Sequence, residues 1–362
     1  MAATKTSAAD LFTLLSVLAL QSDRGVVPET ISRSAGRLAP ADLTCLFEIA
    51  NTHHVVLRAL PCLAAVMAAE ANSRLEQIEN AVTAERMRIA NALSRLSEIC
   101  GALGEIGDVI VIKSLDHKPD LGNDLDLYIN GPVADLVSVM RERFHARLEK
   151  QSWGDRLANK WNFTLPGLPE LVEVHVSRLG QTGEQIAITN SLVARSRIGA
   201  FGNHRFRVPG VEEQIIISTL QRMYRHFYIR LCDIVNIAGR IESGAIHYGY
   251  LESLATSAGL WDGLTTYLVV IADYVEKYRG SALPLPASVR NAARFGCSEV
   301  SYRQKFLRIP IFPQAATLYA REWARLVANG EIQNTLRLSL LPGLAMAALV
   351  AAKISGSDKG IW

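Results

Sequence analysis

Two short stretches decide the fold of this chain: Val109-Ile110-Val111-Ile112-Lys113-Ser114 and, ten residues later, Asp124-Leu125-Asp126-Leu127-Tyr128-Ile129. Apolar and polar residues alternate in the second stretch, which predicts a β-strand with its leucines on one face and its aspartates on the other. Asp124 and Asp126 would then lie side by side. Neighbouring carboxylates repel each other, and such a pair is usually retained where a divalent cation lies between them. The pattern therefore predicts a metal site on this strand.

A third carboxylate comes from the stretch Leu171-Val172-Glu173-Val174-His175-Val176. The same alternation predicts a strand whose valines face inward and whose Glu173 and His175 share the outward face. Three carboxylates on adjacent strands are typical of a two-metal site that clamps a transferring phosphoryl or nucleotidyl group. Glu173 would serve as a ligand or as the base. His175 would orient Glu173 or contact the acceptor, with a purely structural role equally open.

The order of these features resembles a known signature. Lys113-Ser114, a nine-residue spacer and an Asp-x-Asp pair within apolar residues resemble the signature of the nucleotidyltransferase superfamily of polymerase beta-like enzymes. The likeness extends, over roughly residues 40 to 245, to a bacterial group of uncharacterised nucleotidyltransferase-like proteins. This chain departs from the signature in having Ser114 where Gly is expected and Glu173 where Asp is expected.

The resemblance implies a transferase that depends on Mg2+ (or Mn2+) and moves a nucleotidyl group from an NTP to a hydroxyl or phosphate. The acceptor would be a small molecule, a peptide or a glycan. Asp124, Asp126 and Glu173 would be the metal ligands and catalytic residues, with Lys113 and Ser114 at the phosphates. Two alternatives remain open: transfer of a glycosyl or other group from a different phosphorylated donor on the same metal site, and a catalytically inactive binding protein with the nucleotidyltransferase fold.

A basic stripe is predicted further along the chain. Arg222, His226 and Arg230 recur at intervals of four residues, which predicts one face of a helix that starts near Glu212. Such a stripe could bind the phosphates of the donor or acceptor, or it could be a solvated or salt-bridged surface. The resemblance also singles out His226 and Asp233, with Asp233 as a possible supporting residue behind the ligands. Because the two lie seven residues apart and would share a helix face, a purely structural contact between them is the alternative. Lys160 is a weaker phosphate candidate.

The predicted fold class is α+β, with a small mixed sheet of the nucleotidyltransferase type and flanking helices. We expect a helical N-terminal region at 1–106, a catalytic core at 107–208 and a helical C-terminal region at 209–362. One long helix should cover Asn72 to Leu103. The core should contain strands at 108–113, 124–129, 160–165, 171–176 and 204–208, and a helix at 132–150.

Composition narrows the class of protein. Of the 362 residues 49% are hydrophobic, and the net charge is +3, which predicts a well-filled globule without a polynucleotide partner. The five cysteines are widely spaced and include no Cys-x-x-Cys pair, as is typical of a protein of the reducing cytoplasm. The apolar run from Leu338 to Ala352 is shorter than the ~20 residues that span a bilayer. It predicts a buried terminal helix, interrupted at Pro342-Gly343, with a membrane or partner contact as the other interpretation.

Overall fold

The chain has a mixed α+β architecture with small sheets. The structure, a computed structural model, describes residues 6–21, 35, 38–69 and 74–355. The N-terminal helices are α1 (Ala8–Gln21), α2 (Pro40–Thr52), α3 (Val56–Ala69) and α4 (Leu75–Leu103). The long helix is thus present, and its predicted start at Asn72 lies outside the described residues.

The central sheet has five strands in the order β1-β2-β5-β4-β3. Its elements are β1 (Asp108–Val111), β2 (Asp124–Asn130), α5 (Val133–Phe144), β3 (Arg147–Leu148), α6 (Trp153–Ala158), β4 (Lys160–Leu165) and β5 (Leu168–Val176). Strands β2 and β5 are parallel and all the other pairs are antiparallel, so the predicted small mixed sheet is confirmed.

Two predicted boundaries in this region are wrong. Strand β1 ends at Val111 and not at residue 113, because the chain turns into a 3-10 helix at Ser114–His117. The helix expected to reach residue 150 ends at Phe144, because His145 adopts a left-handed conformation with φ of 51° and the following residues pair as β3.

Both faces of the central sheet are covered. The alternating leucines of β2 and valines of β5 pack against α4 and α5, with Leu96 and Leu136 fully buried between them. On the other face, Ile110, Ile112 and Tyr128 belong to the larger hydrophobic core of the helical regions. The polar face of β2 and β5 therefore lines a cleft against helices instead of facing open solvent.

The rest of the chain adds helices and two small sheets. Its elements are α7 (Ile186–Arg195), β6 (Arg197–Phe201), β7 (His204–Val208), α8 (Val211–Thr219), a π-helix (Leu220–His226), β8 (Tyr228–Ile229), α9 (Leu231–Glu242), α10 (Tyr248–Ser257), α11 (Trp261–Arg279), α12 (Ala287–Ala292), β9 (Ser301–Arg303), β10 (Phe306–Arg308), α13 (Ala316–Ala328) and α14 (Ile332–Ser355). The strand at 204–208 is confirmed. The sheet β8-β10-β9 was not predicted, because strands of two or three residues carry no readable periodicity.

The helices before and after the central sheet share one core. Helix α1 packs against α11, where Leu15 and Leu18 are fully buried and the Ser16 and Tyr274 hydroxyls are 2.7 Å apart. The C-terminal helices up to α11 thus complete the core that the N-terminal helices begin.

The start of α14 packs on α13 through a small separate cluster of Leu326, Leu338 and Leu341. The helix continues through Pro342 and Gly343, so the predicted interruption at these two residues is wrong. Within the described part of the chain, no helix combines the length and apolarity needed to cross a membrane.

Candidate metal site and cationic cleft

The parallel pairing of β2 with β5 builds the candidate site. In this register Asp126 lies opposite Glu173, and Tyr128 lies opposite His175. The ligand atoms of Asp126, Glu173 and His175 all lie within 4.8 Å of one another; these three residues are called the ligand set below. Two carboxylates and one imidazole at such distances can hold a divalent cation.

The Asp126 carboxylate forms an ion pair with Lys113. The Lys113 Nζ lies 2.5 Å from the Asp126 Oδ1, and the Asp126 residue is only 7% exposed. Burial raises the pKa of Asp126, and the Lys113 ammonium opposes that rise. Lys113 comes just after β1, the strand that pairs with β2, so the sheet itself brings the ammonium to the carboxylate.

Glu173 is held ionised by a second lysine. The Lys160 Nζ lies 3.1 Å from Glu173 Oε2 and also 3.1 Å from Asp155 Oδ1. Burial alone would raise the pKa of Glu173, but the Lys160, Lys113 and Arg225 charges outweigh burial and lower it. Lys160, predicted as a weak phosphate candidate, is thus committed to two carboxylates.

His175 is the member of the set whose polar atoms are unused. It is 4% exposed, and among the described residues neither ring nitrogen has a hydrogen-bond partner. Burial, reinforced by the charges of Lys113 and Lys160, holds the pKa of His175 well below its usual value. A buried neutral imidazole whose lone pair and N–H both lack a partner can bind a metal ion through its free nitrogen, and such binding would offset the cost of leaving a buried polar group unpaired. It lines a small cavity of about 40 Å³ beside Lys113 and Arg225.

Asp124 is the first residue of β2 and lies at the exposed end of the polar face of that strand. Its carboxylate is not among the atoms that lie within 4.8 Å of one another. Desolvation, then the Glu173 and Asp126 carboxylates, raise the pKa of Asp124 to about 7, although solvent screens part of this effect at an exposed side chain. The structure therefore brings together two of the three predicted carboxylates and adds His175 to them.

Ser114 has a different contact from the predicted one. Its hydroxyl donates to the backbone oxygen of Asp124 (2.9 Å) and accepts from the backbone N–H of Asp126 (2.7 Å), and the residue is 1% exposed. Serine commonly bonds nearby backbone in this way. The hydroxyl thus fixes the 3-10 turn to β2 and positions Asp126, and it is not exposed to a phosphate.

The predicted basic stripe is wrong as a single helix face. The helix that starts at α8 becomes a π-helix at Leu220–His226, and Phe227 then turns the chain with a φ of 54°. Arg230 lies beyond β8 and immediately before α9. The break shifts the phase of the side chains, so the interval of four residues no longer places Arg230 beside His226.

The members of the stripe have separate environments. Arg222 is 1% exposed, and its guanidinium binds Asp233 through Nε (2.7 Å) and Nη2 (3.1 Å), so it supports the wall of the cleft from inside. Asp233 also accepts the backbone N–H of Arg230, and this is a structural role. Arg230 contacts the His54 Nε2 at 2.6 Å. Burial and then the Arg225, Arg222 and Lys113 charges lower the pKa of His226 well below its usual value, which places His226 close to these cations.

Asp155 and His54 are members of this region that the sequence pattern did not predict. Asp155 caps helix α6 through Ser152 and reaches Lys160 from there. The Ser-x-x-Asp spacing at Ser152 signals a helix start, but it says nothing about the lysine that the carboxylate meets.

A second group of potential ligands lies behind the cleft. The ligand atoms of His117, Cys232 and Asp233 are also within 4.8 Å of one another. Both Asp233 oxygens are already bound by Arg222. Burial lowers the pKa of His117 to about 3; the Asp233 carboxylate opposes this shift, and the Arg222, Arg230 and Arg240 charges add to it. This group offers one carboxylate, which Arg222 already binds, and burial raises the pKa of the Cys232 thiol well above its usual value. The ligand set on the sheet, with two carboxylates and an imidazole that has no hydrogen-bond partner among the described residues, is therefore the better candidate.

No family model, curated protein or solved structure matches this chain.

Proposed function

We propose that this protein is a metal-dependent nucleotidyltransferase whose metal is held by Asp126, Glu173 and His175. The observation that carries the proposal is the convergence of these ligand atoms within 4.8 Å on one face of a mixed sheet. The unused ring nitrogens of His175 indicate that the residues fit a cation. A bound divalent ion would neutralise the charge that develops on the phosphates.

The donor set favours Mn2+ over Mg2+. Carboxylate oxygens suit both ions, whereas an imidazole nitrogen is a ligand that Mg2+ seldom takes. Since His175 replaces Asp124 in the set, the chain should bind Mn2+ more tightly than Mg2+.

The residues around the set would have distinct tasks in the transfer. The acceptor oxygen attacks the α-phosphorus of the NTP, the bond from that phosphorus to the bridging oxygen breaks, and pyrophosphate leaves. Asp124 would take the acceptor proton. Of the three predicted carboxylates, Asp126 and Glu173 are paired with lysines, whereas Asp124 has no ammonium partner among the described residues. Lys113 and Arg225, which line the same small cavity as His175, would bind the phosphates.

The test is a calorimetric titration of ATP, GTP, CTP and UTP, each with Mn2+ or Mg2+, into the wild type and Asp126→Asn. We expect one NTP to bind only with metal, more tightly with Mn2+, and this binding to disappear in Asp126→Asn. Glu252→Gln, an exposed change on α10, is the matched control and should bind like the wild type. Failure of a folded wild-type chain to bind any NTP contradicts the proposal.

One observation favours a second donor class. Because the Ser114 hydroxyl is bonded to the backbone around Asp124 and Asp126, the phosphate cradle expected at this position lacks one donor. Fewer phosphate contacts suit a nucleotide sugar, whose diphosphate is shorter than the triphosphate of an NTP. A UDP-hexose that binds with metal when no NTP does would support glycosyl transfer on the same set.

A further inference from the structure

A cavity of about 510 Å³ lies at the ends of the two strands that carry the ligand set. Tyr128 and Asn130 of β2 form part of its wall, as does Ser177, the residue after β5. The other walls come from α7 and the first turns of α14. Its volume is within the range of small-molecule sites in proteins.

The cavity and the ligand set lie along the same face of the paired strands β2 and β5. Asp126 and Tyr128 point to the same face of β2, and they are two residues apart, or roughly 6.6 Å along a strand. Tyr128 is paired with His175 in the parallel register. The cavity thus opens at the carboxyl ends of two adjacent parallel strands, the usual position of ligands in sheets of this kind.

Two arginines face this cavity without a counter-charge. Among the described residues, neither Arg178 nor Arg337 has an ion-pair partner, and no aspartate or glutamate lines the cavity. Partial burial and the neighbouring Arg337 charge lower the pKa of Arg178, so the two guanidiniums are close enough to repel each other. A bound anion would remove this repulsion, and guanidinium groups match the geometry of a phosphate.

The backbone keeps Arg178 in place. Gly183 has a φ of 81°, and a Cβ built at Gly183 would lie 2.8 Å from the Cδ of Arg178. The loop between them is fixed by Glu184, which accepts the backbone N–H groups of Gln181 and Thr182. The stem of Arg178 is therefore packed on a formed loop instead of being free in solvent.

The remaining polar wall is made of neutral groups. It contains hydroxyls and amides from Ser177, Thr189, Asn190 and Gln333. The amides of Asn190 and Gln333 each carry both donors and an acceptor. The Ser177 and Thr189 hydroxyls already donate, to Asn130 Oδ1 and to the Ile186 carbonyl oxygen, and can still accept a hydrogen bond. Such a wall is complementary to a ligand that carries several hydroxyl groups.

We propose that this cavity binds a phosphorylated polyol of the sugar phosphate class, with its phosphate on Arg178 and Arg337. The hydroxyls of the ligand contact the amide and hydroxyl groups of the wall. The shared face of β2 and β5 connects this cavity to the ligand set. The ligand is the acceptor of the transfer, a role that rests on the proposed function, whereas its binding does not.

The first experiment titrates a hexose 6-phosphate, the free hexose and inorganic phosphate into the full chain without nucleotide or metal. We expect the hexose phosphate to bind at least about tenfold more tightly than either fragment. Arg178→Gln and Arg337→Gln should each weaken it about tenfold or more, as for the loss of a charge-assisted hydrogen bond. Arg337→Lys keeps the charge but loses the two-pronged donor, and its affinity should fall between wild type and Arg337→Gln.

The matched control is Arg141→Gln, an exposed arginine on α5, the helix on the opposite face of the sheet, and it should leave binding unchanged. Absence of hexose phosphate binding by folded wild type, an equal loss in Arg141→Gln, or equally tight binding of inorganic phosphate would each overturn the assignment.

A second measurement tests the acceptor role. Pyrophosphate release from an NTP with Mn2+ should depend on the hexose phosphate, and Arg337→Gln should require a hexose phosphate concentration about tenfold or more higher for the same rate. Binding in the first experiment without such release would overturn the acceptor role and leave the ligand site. Because the first experiment contains neither NTP nor metal, failure of nucleotidyl transfer cannot be confused with failure of this site.

Discussion

At the scale of single residues, the candidate site is a balance of buried opposite charges. Lys113 neutralises Asp126, and Lys160 neutralises Glu173. A dication that binds the ligand set must compete with the Lys113 ammonium for the Asp126 carboxylate. The lysine that would bind a phosphate therefore also limits the affinity for free metal.

Lys113→Met tests this competition. The change should increase the affinity for Mn2+ alone several-fold, because the Asp126 carboxylate becomes free, and it should weaken NTP binding, because a phosphate-binding cation is lost. Calorimetric titration of Mn2+ and then of the NTP measures both effects. Lys150→Met, a change at an exposed lysine, is the control, and an unchanged or lower Mn2+ affinity in Lys113→Met would contradict the competition.

Asp120 is a buried carboxyl that should make stability depend on pH. It is 3% exposed and accepts the backbone N–H groups of Leu57 (2.7 Å) and Arg58 (3.1 Å) at the start of α3. Burial raises its pKa to about 7, and the Leu57 bond opposes the rise. Because the unfolded value is near 4, the folded chain binds more protons between about pH 4 and 7. This group therefore lowers the free energy of unfolding as the pH rises through that window.

Asp120→Asn should flatten that dependence. One pKa unit corresponds to about 1.4 kcal/mol. The free energy of unfolding of Asp120→Asn should therefore fall by a few kcal/mol less than that of the wild type between pH 4 and 7. Urea unfolding at unit steps from pH 4 to pH 8 measures the slope. Asp135→Asn, at an exposed position on α5, should keep the wild-type slope, and the same slope in Asp120→Asn would show that Asp120 does not titrate in this window.

At the scale of elements, the junction from α8 to α9 positions the cationic side of the cleft. The π-helix, the turn at Phe227 and the short strand β8 interrupt what would otherwise be one long helix. The interruption is held by one buried ion pair, because Asp233 at the start of α9 binds Arg222 of the π-helix.

Asp233→Asn should destabilise the fold. The change leaves Arg222 buried without a full counter-charge, and removing one partner of a buried pair costs about 3 to 5 kcal/mol. Urea unfolding at pH 7 measures the loss, with Asp135→Asn again as the exposed control. A loss below about 1 kcal/mol would mean that the pair does not hold the junction.

At the scale of the whole molecule, helices before and after the central sheet share one hydrophobic core. Helix α1 lies in the same core as α9 and α11, and the sheet presents its polar face to that core. The cleft therefore has a sheet on one side and helices distant in sequence on the other. Its geometry depends on the packing of both.

Leu18→Ala should therefore weaken the entire fold. Leu18 is fully buried, and such a truncation costs about 2 to 5 kcal/mol. Thermal unfolding should remain a single transition, with the circular dichroism of the helices and the total tryptophan fluorescence, to which Trp161 in β4 contributes, changing together. Leu340→Ala, at a leucine that is 54% exposed, is the control. Two separate transitions would contradict a shared core.

The sequence by itself determined the local elements and the face on which each strand residue lies. Alternation has a period of two, so it is visible within six residues of β2 and β5. For the same reason, the pairing of polar residues Asp126 and Glu173 on one face could be predicted. The α+β class and the long helix α4 followed from equally local patterns.

Only the tertiary structure decided which of these side chains meet. His175 joined the ligand set because parallel pairing in register placed it there, and burial kept its ring neutral. Ser114 turned to the backbone of β2, and Arg222 became buried with Asp233, because residues far apart in sequence closed around them. Contacts of this kind depend on how the elements pack, and no periodicity of the chain encodes them.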